Sequence, residues 1–403
     1  MSAHHRRLPS KRLTPTRKSA DEDMMLKRCF ASFATAALLL FGVLLSSATA
    51  EGFGERPKAR LSLSDMVGQM IVVGFTGTSE QDDGVRIVRQ QIASGEVGGV
   101  ILLARNIANP DQTARLTRSL KRAASGRFSV PPFISIDQEG GRVQRLTNLK
   151  GFDDWLSAED VSALSAERGP SFAITYYGER ANSLAEVGIN LNFGPVLDLN
   201  ANPSNPIIGR LERSYSRDAN VVSVLGGDFV IAHRNVGVLT SLKHFPGHGS
   251  TRSDSHRALP DISDTWHADE LLPYDSLGRR GLVDTVMLAH VFHPDFSDAV
   301  GRPTSLSRNT VNAARDLIGE SVVLFTDDMQ MGAITNTYRE ADAAIMAVNA
   351  GVDVLIYSTF ETPDPTIGPR INRAIVEAVR RGDIPFDRVR SAYERITALK
   401  RQN

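Results

Sequence analysis

Residues 70–103 read MIVVGFTGTSEQDDGVRIVRQQIASGEVGGVILL. Two apolar, β-branched runs, MIVVGF (70–75) and VGGVILL (97–103), flank a segment, DDGVRIVRQQIASG (82–95), whose apolar residues recur at helical spacing. Near-continuous apolar runs, unlike strict alternation, mark strands covered on both faces. The unit is strand–helix–strand, and it recurs along the chain. PFISID (132–137), INLNFGPVLDL (189–199), VLTSLKHF (238–245), TVMLAHV (285–291), VVLFTDD (322–328) and VDVLIYS (352–358) bring the runs to eight. Segments such as DQTARLTRSLKRAA (111–124) and READAAIMAVNAG (339–351) read as the intervening helices. Eight strand–helix units predict an α/β fold, a single (β/α)₈ TIM-type barrel. A doubly wound open sheet is the alternative, but no G-x-G-x-x-G follows the first run, so its dinucleotide-binding form lacks a phosphate loop. INRAIVEAVRRGDIPFDRVRSAYERITALKRQ reads as two closing helices around Asp383-Ile384-Pro385.

Outward from the barrel, composition bounds the class. The chain has 403 residues, 41% hydrophobic and 23% charged, as expected of a globular protein and not of a disordered, collagen-like or multi-pass membrane chain. The 46 basic and 46 acidic residues balance, which gives no footing for a nucleic-acid partner. Eight of the basic and three of the acidic residues lie in 1–50, leaving 38 and 43 in 51–403.

The basic excess belongs to a leader. Lys27 and Arg28 precede the uncharged run Phe30–Leu45, which is followed by Ala48-Thr49-Ala50. A basic region, an apolar stretch and an A-x-A end form a secretory signal. The apolar run is shorter than the roughly 20 residues of a membrane span, so cleavage near Ala50 is expected over a retained anchor. Met24 or Met25 is an alternative start, and Arg6-Arg7 is a poor twin-arginine signal. Cys29, the only cysteine, would leave with the leader, which would exclude disulfides, thiolate zinc sites and a cysteine nucleophile. The expected division is a basic leader and signal peptide at 1–50 and a catalytic barrel at 56–403. The protein is then exported, to the periplasm in preference to the cytoplasm, with no stable membrane span.

Barrel active sites lie at the C-terminal strand ends. There the chain carries Asp137 with Arg145, Asp198 with Asn200, Lys243-His244, His290, and Asp327-Asp328. Arg210 and Arg213 follow the fourth strand. The densest stretch is Lys243-His-Phe-Pro-Gly-His248 through Asp254-Ser-His256, and three readings compete for it. His244, His248 and His256 could bind metal, but Pro246 and Gly247 exclude the helix that would put a His-x₃-His pair on one face. The imidazoles could simply satisfy backbone groups. Or Asp254 and His256, on one side of an extended loop, could transfer protons, the carboxylate orienting the imidazole. Asp327, on a rigid strand end, is the candidate nucleophile toward an anomeric carbon. Asp328 points the other way and reads as structural.

IDQEGGRVQRL (136–146), FGPVLDLN (193–200), KHFPGHG with DSH (243–256) and FTDDMQMGAI (325–334) together resemble the β-N-acetylhexosaminidases of glycoside hydrolase family 3. The resemblance implies a retaining hydrolase that removes terminal β-linked N-acetylglucosamine through a covalent glycosyl-aspartate. It implies Asp327 as nucleophile, His256 as acid/base and Asp254 as its partner. Asp137, Arg145, Arg213, Lys243 and His244 are implied as sugar-binding residues, and no cofactor or metal is implied. The stretch Ile-Gly-Arg-Leu-Glu-Arg-Ser-Tyr departs from the family pattern by two residues, so that Arg210 rivals Arg213. An export signal points to periplasmic muropeptides or peptidoglycan as the saccharide substrate. The other readings are a β-glucosidase of the family, whose acid would usually come from an added domain, a phosphorylase releasing sugar 1-phosphate, and a non-catalytic sugar-binding barrel. The sequence carries no reading of oligomeric state.

Overall fold

Residues with branched side chains resist helix and favour the pleated backbone, and burial on both faces suits them to the middle of a layered fold. Each of the eight apolar runs accordingly becomes a strand. A computed structural model describes residues 61–125 and 130–402. Its strands are β1 (Ile71–Val73), β2 (Gly99–Leu102), β3 (Phe133–Ile136), β4 (Leu191–Asn192), β5 (Leu239–Phe245), β6 (Thr285–Leu288), β7 (Val323–Asp328) and β8 (Val354–Tyr357). All pair in parallel with their sequence neighbours, and β1 also pairs with β8, which closes the barrel. The expected barrel is therefore present. The signal segment and the 1–50 leader lie outside the described residues.

The amphipathic segments form the outer ring. DDGVRIVRQQIASG gives the helix Asp83–Ser94, which ends at Gly95 in the left-handed conformation (φ 81°). The closing pair is Ile367–Arg381 and Phe386–Lys400, broken at Gly382 as the Gly-Asp-Ile-Pro sequence requires. Inside the barrel Phe133, Phe193 and Phe325 meet edge to face, with centroids 5.7 and 5.6 Å apart, and fill the interior beneath the site. Among the described residues no helix is long and apolar enough to cross a membrane.

The fourth strand differs from the run that announced it. INLNFGPVLDL contributes only Leu191–Asn192 to the ladder. Gly194-Pro195 interrupts it, because proline has no N–H to give. The chain then rejoins β5, where Val196 bridges Lys243 and the Leu197 N–H donates to the Lys243 carbonyl at 2.7 Å. This detour carries Asp198 alongside the end of β5.

Candidate active site

The polar strand ends converge on one cavity of ≈ 570 Å³, a size suited to a small ligand. Asp137, Arg145, Arg213, Lys243, His244, His256 and Asp327 all line it.

The loop after β3 is folded back by a buried glutamine. Gln138 accepts from the Arg145 and Leu146 N–H groups at 2.8 and 3.0 Å and donates to the Leu146 carbonyl. Asn192 on β4 grips the Gln138 backbone from the other side. The turn needs Gly140 (φ 104°), where a Cβ would lie 2.0 Å from the Leu156 carbonyl oxygen. Asp137 is thus presented beside Lys243, whose ammonium donates to it at 2.9 Å, and 3.7 Å from Arg145.

Beneath lies a buried ion cluster. Arg213 donates to both Glu139 oxygens at 2.7 and 2.8 Å, and Lys243 lies 2.7 Å from the same carboxylate. Burial alone would raise the Glu139 pKa, but Arg213 and Lys243 outweigh it and hold the carboxyl well below its usual range. Burial would likewise lower the Lys243 pKa, and Asp137 and Glu139 reverse the sign. The cluster keeps Lys243 and Arg213 charged and oriented inside the cavity. Arg213 lines the cavity, whereas Arg210 is exposed and is not among its lining residues.

Asp198 was legible only as a charge at a strand end. It is fully buried and accepts from the His244 ring Nδ1–H at 2.6 Å and from the His248 backbone N–H at 2.7 Å. Burial raises its pKa, but His244 and then His248 more than offset that, so it stays ionised. Asp198 therefore fixes the His244 ring, whose Nε2 lies 3.4 Å from Arg213. Glu139 and Asp198 are the two site residues that sequence reasoning left without a role. Glu139 stands two residues after Asp137, a spacing that could have suggested a second inward carboxylate.

Asp327 ends β7. Its Oδ1 accepts from the Asp328 N–H at 2.8 Å, and the residue lines the cavity. Burial would raise its pKa, but His244, His290 and the backbone N–H bring it down to about 2. Asp328 is tied to β8 by Ser358, whose N–H and O–H both donate to it, and to the Gln330 N–H. Its structural reading agrees with these bonds.

The Asp254–His256 pair forms differently from the expected extended loop. The Arg257 and Ala258 N–H groups bond the Asp254 carbonyl, so the segment is a turn. Asp254 Oδ1 accepts from both the His256 N–H (2.9 Å) and its ring Nδ1–H (2.8 Å). An aspartate side chain bonding the backbone two residues on is an Asx-turn, which brings positions i and i+2 together without a strand. Nδ1 is engaged, which leaves Nε2 for proton exchange. His248, by contrast, is buried between the Thr251 and Ser255 hydroxyls, each at 3.0 Å, and burial takes its pKa down to about 4. His290 is similarly enclosed, donating through Nε2 to the Asp328 carbonyl and bonding the Ser305 hydroxyl. These two imidazoles satisfy their neighbours; His256 is the exposed one. Among the described residues no group of three or more His, Cys, Asp or Glu is arranged to hold a metal ion.

A family model described as Glycosyl hydrolase family 3 N terminal domain matches residues 62–399. Beta-hexosaminidase A of Pseudoalteromonas piscicida is 34% identical over 322 residues, 73% of this chain. The chain spans about half (53%) of that relative's length. Beta-hexosaminidase LpqI of Mycobacterium tuberculosis is 28% identical over 86% of this chain and 84% of its own. Among solved structures, a family 3 β-N-acetylglucosaminidase from a Paenibacillus species superposes with TM-score 0.76 at 35% identity, covering 85% of this chain and 63% of that one. A β-N-acetylhexosaminidase from Beutenbergia cavernae gives 0.74 at 30%, covering 85% and 99%.

Proposed function

The chain belongs to glycosyl hydrolase family 3, and from that premise we propose that it is a retaining β-N-acetylhexosaminidase. Exported, it removes terminal N-acetylglucosamine, from peptidoglycan fragments above all. The observation that carries the reading is the pairing, on one cavity, of an ionised, half-buried carboxylate at the end of β7 with an exposed imidazole braced by its own aspartate. The relatives' names support the sugar, and the leader at 27–50 supports export.

In the first step Asp327 attacks the anomeric carbon while His256 Nε2 gives its proton to the glycosidic oxygen. The bond from that carbon to the aglycone breaks, and a glycosyl-aspartate forms. In the second step the now neutral His256 takes a proton from water, whose oxygen displaces Asp327. Two displacements at one carbon return the original anomeric configuration. Asp254 accepts from Nδ1–H throughout, fixing the tautomer and favouring the imidazolium of the first step. A carboxylic acid is the usual donor in glycosidases; an imidazole leaves no second anion to oppose ionisation of the nucleophile. Lys243, Arg213 and Arg145 donate to sugar hydroxyls and Asp137 accepts from them.

One assay tests the reading. The purified chain should release p-nitrophenol from the β-N-acetylglucosaminide and little from the β-glucoside, with the β-anomer of the sugar appearing first by NMR. An α-anomer, or preference for glucose, would overturn it. Sugar phosphate formed in phosphate buffer would make the protein a phosphorylase.

A further inference from the structure

Glycosidases are told apart by what they hold beyond the bond they cut. The residues around Asp327 account for one sugar, yet Phe360 lines the cavity too. The residue is 65% exposed. An exposed apolar side chain is ordinary in itself. Leu149 and Val300 are more exposed still. What distinguishes Phe360 is that it is an aromatic on the catalytic cavity whose backbone is held from several sides.

Arg105, in the short helix after β2, does most of the holding. Its guanidinium donates to the Thr359 carbonyl (2.8 Å), the Thr359 hydroxyl (2.9 Å) and the Phe360 carbonyl (3.0 Å). Its Nε–H anchors it to the Phe75 carbonyl at 3.0 Å. From the opposite side Gln330 accepts the Thr359 N–H at 2.8 Å, and Asp328 accepts both donors of Ser358. Thr359 sits at φ 51°. A β-branched residue in the left-handed region is an outlier that persists only where its surroundings over-determine it, and such positions cluster at functional sites. The segment 358–360 is thus clamped between the β2 loop and the residues flanking Asp327, while the side chain it presents is left in water.

We infer that Phe360 is the stacking platform for the sugar on the leaving side of the scissile bond. This rests on the glycosidase reading above and adds the class of aglycone. A gluco-configured pyranose has equatorial hydroxyls and faces made of C–H bonds. Such a face packs on the electron-rich face of an aromatic ring. A platform whose backbone is held in advance has less freedom to lose on binding. The preferred substrate is then an oligosaccharide whose second residue is also a gluco-configured pyranose. Arg105 is a positioning residue, acting through the 358–360 backbone.

The test compares two substrates of the full chain: N,N′-diacetylchitobiose, which has a second pyranose, and methyl β-N-acetylglucosaminide, which has none. Released N-acetylglucosamine is measured for both. Phe360→Ala should lower kcat/KM on the disaccharide roughly three- to tenfold, the worth of one aromatic contact. The change on the methyl glycoside should be several times smaller, and Phe360→Trp should restore the disaccharide rate. Arg105→Ala should reproduce the selective loss, mainly in KM. Equal losses on both substrates, or none on either, would overturn the inference while leaving the glycosidase reading intact. A wild-type chain that cleaves neither would instead remove the reading on which it rests.

Discussion

Two consecutive carboxylates end β7, and their surroundings drive them apart. Asp327 faces His244 and His290 and accepts a backbone N–H, which together outweigh burial and keep it ionised down to about pH 2. Asp328 is just as buried and has the Asp327 charge for a neighbour; burial first, and that charge after it, push it up to about 6 despite bonds from Ser358 and Gln330. Like charges side by side with pKa values pushed apart mark a division of labour. The anion is free to react, while its neighbour holds β8. Asp327→Ala should therefore lower turnover on the order of 10³-fold or more, with the melting temperature little changed, since it removes a reacting group and no packing. Asp328→Asn keeps the Oδ1 acceptor for Gln330 and Ser358 and should stay within about tenfold of wild type. Steady-state rates with thermal melts on both variants decide the assignment. Near-normal turnover in Asp327→Ala would transfer the role to Asp328.

The element that matters most is the stretch from β5 through the Asx-turn. β5 delivers Lys243 and His244 to the cavity, and its continuation is pinned at His248 by Asp198 below and by Thr251 and Ser255 ahead. Ser255 adjoins His256, so the buried imidazole sets where the exposed one stands. His256→Ala should lose most on a disaccharide, whose leaving group needs a proton, and less on a nitrophenyl glycoside, which does not. His248→Ala should show the same bias more weakly, with kcat falling more than KM rises, because it leaves the proposed sugar contacts of Lys243 and Arg213 in place. If His248→Ala only weakened binding, it would have no part in positioning the acid. The strands were legible, though not their bounds, because residues covered on both faces leave apolar runs, and seven of the eight runs become strands of three residues or more. The fourth was over-read because the Gly194-Pro195 break lies inside an otherwise apolar run. Asp254 and His256 were legible as a pair through their spacing, although a turn and not an extended loop joins them. The Glu139–Arg213 pair was not, since 74 residues separate its members and neither carries a local pattern pointing to the other.

On the scale of the whole barrel, the two ends carry opposite uses of charge. The C-terminal end exposes ion pairs to a cavity; the N-terminal end seals in a lysine. Lys400, 2% exposed, closes the last helix against the starts of the first three strands. Its Nζ donates to Gln69 Oε1 at 2.8 Å and to the Gly98 carbonyl at 2.6 Å, and lies 4.2 Å from the centroid of the Phe133 ring. Neither hydrogen-bond partner is a carboxylate, so burial prevails and brings the ammonium down to about 7. A neutral amine keeps two N–H bonds, enough for both acceptors. The sign follows from linkage: between pH 7 and about 10 the unfolded chain binds a proton at this site that the folded chain does not, so stability rises with pH across that window. Glu270 opposes it. Burial raises that carboxyl to about 8, so its contribution is lost as pH rises toward 8. A comparison with Lys400→Met separates the two, because Glu270 is common to both proteins. Urea unfolding at pH 7 and pH 9 should show the wild type gaining about 1–3 kcal/mol on the variant between the two conditions. Parallel pH dependence in the two proteins would mean that Lys400 stays charged in the fold, held by its two acceptors and the Phe133 ring.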